Sequence, residues 1–130
     1  MAFGWGGAFL LPGCCDPFNE KAVRASRGAS FQLPMVTGTW DHLIALRNEF
    51  QMRMLAGHPG SKCLSRRMSD SLADSLVCLV LGSEGRGLAH ESRRCCDLIS
   101  IPMAAEFESL NVSVAGGIFL YMLRPGQCGL

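Results

Sequence analysis

The stretch "LVLGSEGRGL", residues 79–88, joins an apolar run to a loop with three glycines and one carboxylate. Together with the residues before it, the apolar run reads "SLVCLVLG", residues 75–82, and predicts a buried strand. A glycine loop after such a strand can adopt positive φ and expose backbone N–H and C=O groups to a ligand at the carboxyl edge of a parallel sheet. The plain alternative is a strand-to-helix turn with Glu84 in the first helical turn, where a carboxylate suits the helix dipole.

The spacing of this loop excludes two phosphate-binding motifs. A P-loop has the pattern G-x-x-x-x-G-K-[ST], and residues 82–88 lack its lysine and the hydroxyl that follows it. The dinucleotide fingerprint has the pattern G-x-G-x-x-G, whereas the glycines at 82, 85 and 87 have the reverse spacing. A ligand loop and an ordinary turn therefore remain as the two interpretations.

Strand-like and helix-like patterns alternate along the rest of the chain, which predicts an α/β fold with a mostly parallel sheet. Asp16 as N-cap and Pro17 at the first helical position indicate the start of the first helix. A polar stretch up to about Asp74 is predicted to be irregular. The first strand is expected to be buried on both faces, and the last helix on more than one side. Strands are predicted at residues 7–13, 30–36, 75–82 and 98–103, and helices at residues 16–26, 39–54, 88–96 and 109–124.

Composition limits the class of protein further. A chain of 130 residues with 48% hydrophobic and 18% charged residues fits one compact domain. The net charge of +1 gives no general attraction for nucleic acid, so any RNA contact must be local. Seven cysteines without a C-x-x-C pair favour neither a disulfide framework nor a zinc site, and no apolar segment reaches the ~18 residues of a membrane span. We therefore expect an intracellular, soluble protein from a reducing compartment, either the cytoplasm or an organelle, that binds no metal and enters no membrane.

Three blocks of sequence together resemble the SpoU/TrmH-like branch of the SPOUT RNA 2′-O-ribose methyltransferases. They are "LLPGCCDPFNEKAVRASRGASFQLP", "LVLGSEGRGL" and "ISIPMAAEFESLNVSVAGGIFLYMLR". The last two are similar to the second and third signature motifs of that family, in the same order, and the resemblance covers about residues 7–124. It implies a SPOUT-type α/β knot: a deep trefoil knot in a mostly parallel sheet with helices on both faces, formed by one domain over residues 1–130.

The resemblance also implies a cofactor and a substrate. S-adenosylmethionine would bind in the knotted loops, with Gly82, Ile101 and Leu110 as the positions whose backbone holds it. The methyl group would pass to a ribose 2′-hydroxyl of tRNA or rRNA.

Further residues are candidates for catalysis or RNA binding by the same resemblance. Ser109 and Asn111 would place a hydroxyl and an amide near the methyl donor or the target ribose, although Ser109 can equally serve as a helix cap. Glu84 is similar to the glutamate of the second motif, which would order the loops or face the RNA. The candidate phosphate contacts are Arg24, Arg27 and Arg86, for which solvated surface is the plain alternative.

The sequence departs from the family pattern at both ends. The family's first motif, Asn-x-x-x-x-x-Arg, is missing, and with it the arginine credited with activating the ribose hydroxyl; Arg24 and Arg27 do not replace it. We therefore expect an N-terminally truncated domain with weak or no transferase activity. At the other end, Pro125 and Gly126 stop the last helix. The family resemblance implies that this helix contributes to a homodimer interface, and the alternative is that it packs into the chain's own core.

Three functional classes therefore remain open. The first is an S-adenosylmethionine-dependent RNA methyltransferase. The second is a non-catalytic fragment that binds the cofactor or a partner. The third is a truncated sheet that does not fold stably, because missing strands would leave edges and apolar surface exposed.

Overall fold

Strands and helices alternate along the chain in the computed structural model, which describes residues 2–83, 85–104 and 110–125. Within these residues the strands are β1 (Ala8–Leu10), β2 (Met35–Thr37), β3 (Arg53–Cys63), β4 (Val77–Val80) and β5 (Asp97–Ser100). The helices are α1 (Glu20–Ala25), α2 (Trp40–Phe50), α3 (Arg66–Ser71), α4 (His90–Cys95) and α5 (Val112–Met122), with a 3₁₀ turn at Ala29–Phe31. This order confirms the predicted α/β class.

All strand pairs that join these elements are parallel. β1 pairs with β2 in one sheet, and the second sheet has the order β4-β3-β5. Parallel neighbours need a crossover connection, which the intervening helices supply. The carboxyl ends of β3, β4 and β5 therefore lie at the same edge of the sheet, where ligands bind in open α/β folds.

The central strand β3 carries core residues on both of its faces. Leu55 belongs to one buried cluster, with Phe119 of α5. Its neighbours Met54 and Ala56 belong to a second cluster, with Leu43 of α2. Because successive side chains of a strand point to opposite faces, the two clusters lie on opposite sides of the sheet and α2 and α5 cover different faces.

The largest difference from the sequence prediction is β3 itself. Most of the stretch expected to be irregular up to Asp74 forms β3 and α3, so that prediction is wrong. Pro59 and Gly60 have the composition of a turn. The strand accommodates them because its pairing with β5 shifts register between Gly57 and Lys62, which removes the segment between them from regular pairing.

The first helix begins later than predicted. Asn19 is its N-cap and accepts a hydrogen bond from the Ala22 N–H at 2.9 Å. Asp16 was the wrong choice of cap, because its carboxylate accepts a hydrogen bond from the Phe18 N–H at 2.9 Å and closes a turn ahead of the helix. Pro17 lies in that turn. Asp and Asn are equally good caps, so composition alone does not choose between positions 16 and 19.

Two strands are shorter or more exposed than their apolar runs predicted. Part of the run at residues 30–36 lies in the 3₁₀ turn Ala29–Phe31, and only Met35–Thr37 is a strand. The residues of β1 are half-buried instead of buried on both faces. β1 and β2 form a two-stranded sheet in the described part of the chain.

The last helix is buried on one side by the rest of the chain. Gly116 and Phe119 of α5 are buried, whereas Val114 is 53% and Tyr121 52% exposed. Burial on more than one side, as predicted from its all-round apolar sequence, is therefore not reached within the described chain. The intramolecular alternative accounts for one face of the helix.

Candidate functional site

A cleft of about 1100 Å³ lies at the carboxyl edge of the three-stranded sheet. Its walls come from the irregular part of β3, the loop after β4, the residues after β5 and the start of α5. Small-molecule sites usually occupy about 300–1,000 Å³, so the cleft has room for a nucleoside-sized cofactor. Lining residues from these four walls include Gly57, His58, Ser61, Gly82, Ser83, Ile101, Leu110 and Asn111.

The glycine loop forms a closed, self-paired wall of this cleft. Two backbone hydrogen bonds join Ser83 and Gly87, from the Ser83 N–H at 3.1 Å and from the Gly87 N–H at 2.9 Å. The Arg86 N–H also donates to the Ser83 hydroxyl at 3.2 Å. The helix α4 begins only at His90, so the glycine loop is not part of the first helical turn. Glu84 lies outside the described residues.

Gly82 is required by close packing inside this loop. A Cβ atom at this position would lie 2.5 Å from the carbonyl carbon of Gly87 and 2.7 Å from the backbone nitrogen of Leu88. Both neighbours are backbone atoms, which a small side-chain movement cannot displace. The two sides of the loop therefore approach as closely as they do because position 82 has no side chain.

The irregular part of β3 forms a wall that the sequence analysis missed. The Ser61 hydroxyl lies 3.4 Å from His58 Nδ1. The backbone carbonyl of Ser61 accepts a hydrogen bond from the buried Ser100 hydroxyl at 2.8 Å. This second contact ties β3 to the end of β5. The signal in the sequence was the "GHPG" segment itself, which reads as a break in secondary structure when its pairing partner is unknown.

The start of α5 supplies the last wall. The Asn111 side-chain oxygen accepts hydrogen bonds from the N–H groups of Ser113 at 2.9 Å and Val114 at 3.4 Å. Asn111 is therefore the N-cap of this helix. Ser109, for which capping was the alternative role, lies outside the described residues.

The structure brings the predicted cofactor residues together. Gly82, Ile101 and Leu110 come from three separate segments and line the same cleft, together with Asn111.

The predicted RNA-binding arginines lie elsewhere on the surface. Arg24 is exposed and pairs with Glu20 on the same helix. Arg27 is exposed with a φ of 52°, and Arg86 is exposed on the glycine loop. None of these three arginines lines the cleft.

The cysteines of the described residues are free thiols, and the most perturbed of them lies outside the cleft. The pKa of the Cys96 thiol is raised to about 12, mainly because the thiol is buried. Negative charges on Cys78, Cys95 and Asp97 also raise this pKa, and the positive charge of Arg47 lowers it. Burial also raises the pKa of Cys78. These two thiols are protonated at neutral pH, which suits neither a nucleophile nor a metal ligand.

The described ranges contain neither a cluster of metal ligands nor a helix that could span a membrane. Across residues 2–83, 85–104 and 110–125, no three His, Cys, Asp or Glu side chains converge in a way that could hold a metal ion. The helices in that part of the chain are all too short or too polar to cross a bilayer.

A parallel α/β sheet with a glycine-walled cleft at its carboxyl edge is the architecture of enzymes and binding proteins that use nucleotide cofactors. Sequence comparison identifies the family. The chain belongs to the SpoU rRNA methylase family, whose sequence profile matches residues 1–121. The resemblance inferred from the signature motifs is confirmed.

Curated relatives and solved structures agree with this family. The 23S rRNA (guanosine-2′-O-)-methyltransferase RlmB of Ralstonia nicotianae is 54% identical over 104 residues, which are 79% of this chain and 41% of that protein. The 23S rRNA (adenosine(1067)-2′-O)-methyltransferase of Streptomyces laurentii is 39% identical over 104 residues, 79% of this chain and 38% of its own.

Among solved structures, the AdoMet-bound rRNA methyltransferase of Sinorhizobium meliloti superposes with a TM-score of 0.82 at 31% identity, over 95% of this chain and 47% of that one. The SpoU methyltransferase AviRb of Streptomyces viridochromogenes, in complex with AdoMet, superposes with a TM-score of 0.77 at 28% identity, over 94% of this chain and 50% of that one. The chain thus spans about two fifths to one half of the proteins that it matches.

Proposed function

We propose that this chain binds S-adenosylmethionine in the cleft and forms the cofactor-binding part of an RNA 2′-O-ribose methyltransferase that acts on tRNA or rRNA. The observation that carries this proposal is the convergence of Gly82, Ile101 and Leu110 on one cleft from three segments of the chain. The AdoMet-bound state of the S. meliloti and Streptomyces relatives supports the same cofactor for this chain.

The residues of the cleft fit a bent nucleoside cofactor. A planar adenine suits a narrow slot between backbone segments, and the approach of Gly82 to Gly87 leaves such a backbone surface free of side chains. When bound, the cofactor would supply a methyl group on a sulfonium for transfer to a ribose 2′-hydroxyl. Backbone groups at Ile101 and Leu110 would read the polar edge of the adenine.

The roles of the catalytic candidates follow from the family resemblance. Asn111 holds the start of α5 at the cleft through its capping hydrogen bonds, which places its amide at the wall. Glu84 and Ser109 complete the proposed catalytic set. The exposed side chains of Arg24, Arg27 and Arg86 would contact RNA phosphates outside the cleft.

The finer architecture is part of the same proposal. We propose a deep trefoil knot within a single domain, with the resemblance to the family over residues 7–124. A homodimer through α5 is supported by the exposure of Val114 and Tyr121 on a helix that is apolar nearly all round. Free thiols at the described cysteines are compatible with a reducing compartment.

The 130-residue chain on its own is proposed to transfer methyl groups weakly or not at all. A ribose 2′-hydroxyl is a weak acid, and its activation normally needs a positioned group that accepts or helps to release the proton. The first-motif arginine to which the family resemblance assigns this task is not among the 130 residues. A non-catalytic module that retains the cofactor cleft is therefore the second candidate function.

Calorimetric titration of the chain with S-adenosylmethionine and S-adenosylhomocysteine tests the cleft. Gly82→Trp should abolish binding, whereas Gly85→Trp should not, because Gly85 does not line the cleft and a Cβ atom at position 85 has no neighbour within 4 Å. Circular dichroism of both variants establishes that they are folded. A folded, monodisperse wild-type chain that binds neither compound would refute the proposed cofactor.

A methylation assay with tRNA and rRNA then separates the two functions. Binding without transfer would favour the non-catalytic module. Efficient methyl transfer by the 130-residue chain alone would contradict the proposed loss of activity.

A further inference from the structure

One side chain among the described residues that line the cleft is positively charged. It is the guanidinium of Arg93, and none of these lining residues carries a carboxylate. A cationic group in a partly enclosed cleft attracts an anionic part of a ligand more strongly than the same group in open solvent.

Arg93 reaches the cleft from α4, whose last turn holds both Arg93 and Arg94. The two arginines are adjacent and both are exposed, but only Arg93 lines the cleft. The described residues supply no hydrogen-bond or ion-pair partner for the Arg93 side chain. Among the described residues, nothing therefore competes with a ligand for this guanidinium, and Arg94 offers a matched control with the same charge one position away.

S-adenosylmethionine carries one anionic group, the α-carboxylate of its methionine moiety. A guanidinium binds a carboxylate through two parallel N–H···O hydrogen bonds, a geometry that lysine cannot reproduce. We propose that Arg93 binds the α-carboxylate of S-adenosylmethionine and thereby holds the methionine end of the cofactor in the cleft. This inference rests on the proposed cofactor and adds the group that would recognise its amino-acid portion.

The position of Arg93 favours the cofactor carboxylate over an RNA phosphate. The same cleft is lined by the buried Ser100 and Phe119, so its inner surface belongs to the core of the chain. Arg24, Arg27 and Arg86 are exposed outside it, where a polynucleotide backbone has free access.

The experiment compares S-adenosylmethionine with decarboxylated S-adenosylmethionine, which differs only by the absence of the carboxylate. Both are titrated into the wild-type chain and into Arg93→Gln, Arg93→Lys and Arg94→Gln. We expect Arg93→Gln to weaken S-adenosylmethionine binding by about tenfold, the size of a charge-assisted hydrogen bond at a partly exposed site. Binding of the decarboxylated compound should change by less than about twofold, since the partner of the guanidinium is already missing.

The two further variants separate charge and geometry. Arg93→Lys should recover only part of the affinity, because it keeps the charge and loses the bidentate contact. Arg94→Gln should leave both affinities unchanged.

Two results would overturn the inference while leaving the cofactor site intact. The first is an equal change, or no change, in the affinities for the two compounds in Arg93→Gln. The second is a loss that appears only in the affinity for a fluorescently labelled tRNA, which would assign Arg93 to a phosphate. If the wild-type chain binds neither compound, the proposed function fails and this inference fails with it.

Discussion

The three glycines of the loop after β4 differ in what an added Cβ atom would meet: close backbone atoms at Gly82, open space at Gly85, and a left-handed backbone at Gly87. At Gly82 a Cβ atom would lie 2.5 Å from the Gly87 carbonyl carbon, 2.6 Å from the Gly87 oxygen and 2.7 Å from the Leu88 nitrogen. At Gly85 it would have no neighbour within 4 Å. At Gly87 the space is also open, but φ is 65°.

These geometries predict different changes in the free energy of unfolding. Gly82→Ala should destabilise the chain by about 1–3 kcal/mol, the usual cost of overpacking, because the backbone atoms it meets are held by the paired hydrogen bonds between Ser83 and Gly87. Gly87→Ala should cost about 1–2 kcal/mol, the cost of a left-handed conformation for a residue with a Cβ atom. Gly85→Ala should lie within about 0.5 kcal/mol of the wild type, as for most surface substitutions.

Urea denaturation followed by circular dichroism measures the three values, and titration with S-adenosylhomocysteine measures the effect on the cleft. Gly82→Ala should also weaken cofactor binding, because opening the loop moves the wall that lines the cleft. Gly85→Ala is the matched control in both assays. Equal stability and equal affinity of Gly82→Ala and Gly85→Ala would refute the argument that close backbone approach requires glycine at position 82.

Three other predictions address the core, the last helix and the cysteines. Gly57→Ala should destabilise the chain by about 1–3 kcal/mol in thermal or urea unfolding, because its Cβ atom would lie 2.6 Å from Cε2 of the buried Phe119. The double variant Gly57→Ala/Phe119→Leu should lose less stability than the sum of the losses in the two single variants. Asn111→Ala should cost about 1 kcal/mol and Asn111→Asp much less, since a carboxylate can also cap α5, and equal losses would contradict the capping role. The free energy of unfolding should fall as the pH rises from 9 to about 12, because the pKa of Cys96 is raised from 9.0 to about 12 in the folded chain and the unfolded chain releases that proton first. Urea titrations across this range should show a smaller fall for Cys96→Ala than for the exposed-site control Cys14→Ala, and parallel curves would argue against the buried thiol.

Local sequence patterns predicted those helices and strands whose signals lie within a single short stretch of residues. The apolar run before the glycine loop became β4, and the helical spacing after Thr39 became α2, with Thr39 as its N-cap. Short-range signals failed where two local choices have similar energy. Asp16 and Asn19 are both good caps, and the chain uses the second for the helix and the first for the turn before it.

The sequence predicted only the part of the candidate site that lies in contiguous motifs. Gly82, Ile101 and Leu110 were predicted because they belong to contiguous motifs that resemble those of a known family, and all three line one cleft. Their role in cofactor binding stays a prediction. The wall from His58 to Ser61 and the guanidinium of Arg93 were missed. They belong to the site only through the pairing of β3 with its neighbours and the position of α4, which no single stretch of sequence encodes.

The sequence by itself determined the α/β class, the family and the three segments that contain Gly82, Ile101 and Leu110, because strand runs, helical periodicity and motif order are properties of neighbouring residues. Only the tertiary structure decided that a segment containing Pro59 and Gly60 is the central strand. Parallel pairing on both sides stabilises that strand, and a register shift with β5 accommodates the residues that would otherwise end it. Such long-range contacts outweigh local propensity, and in this chain they also form the cleft.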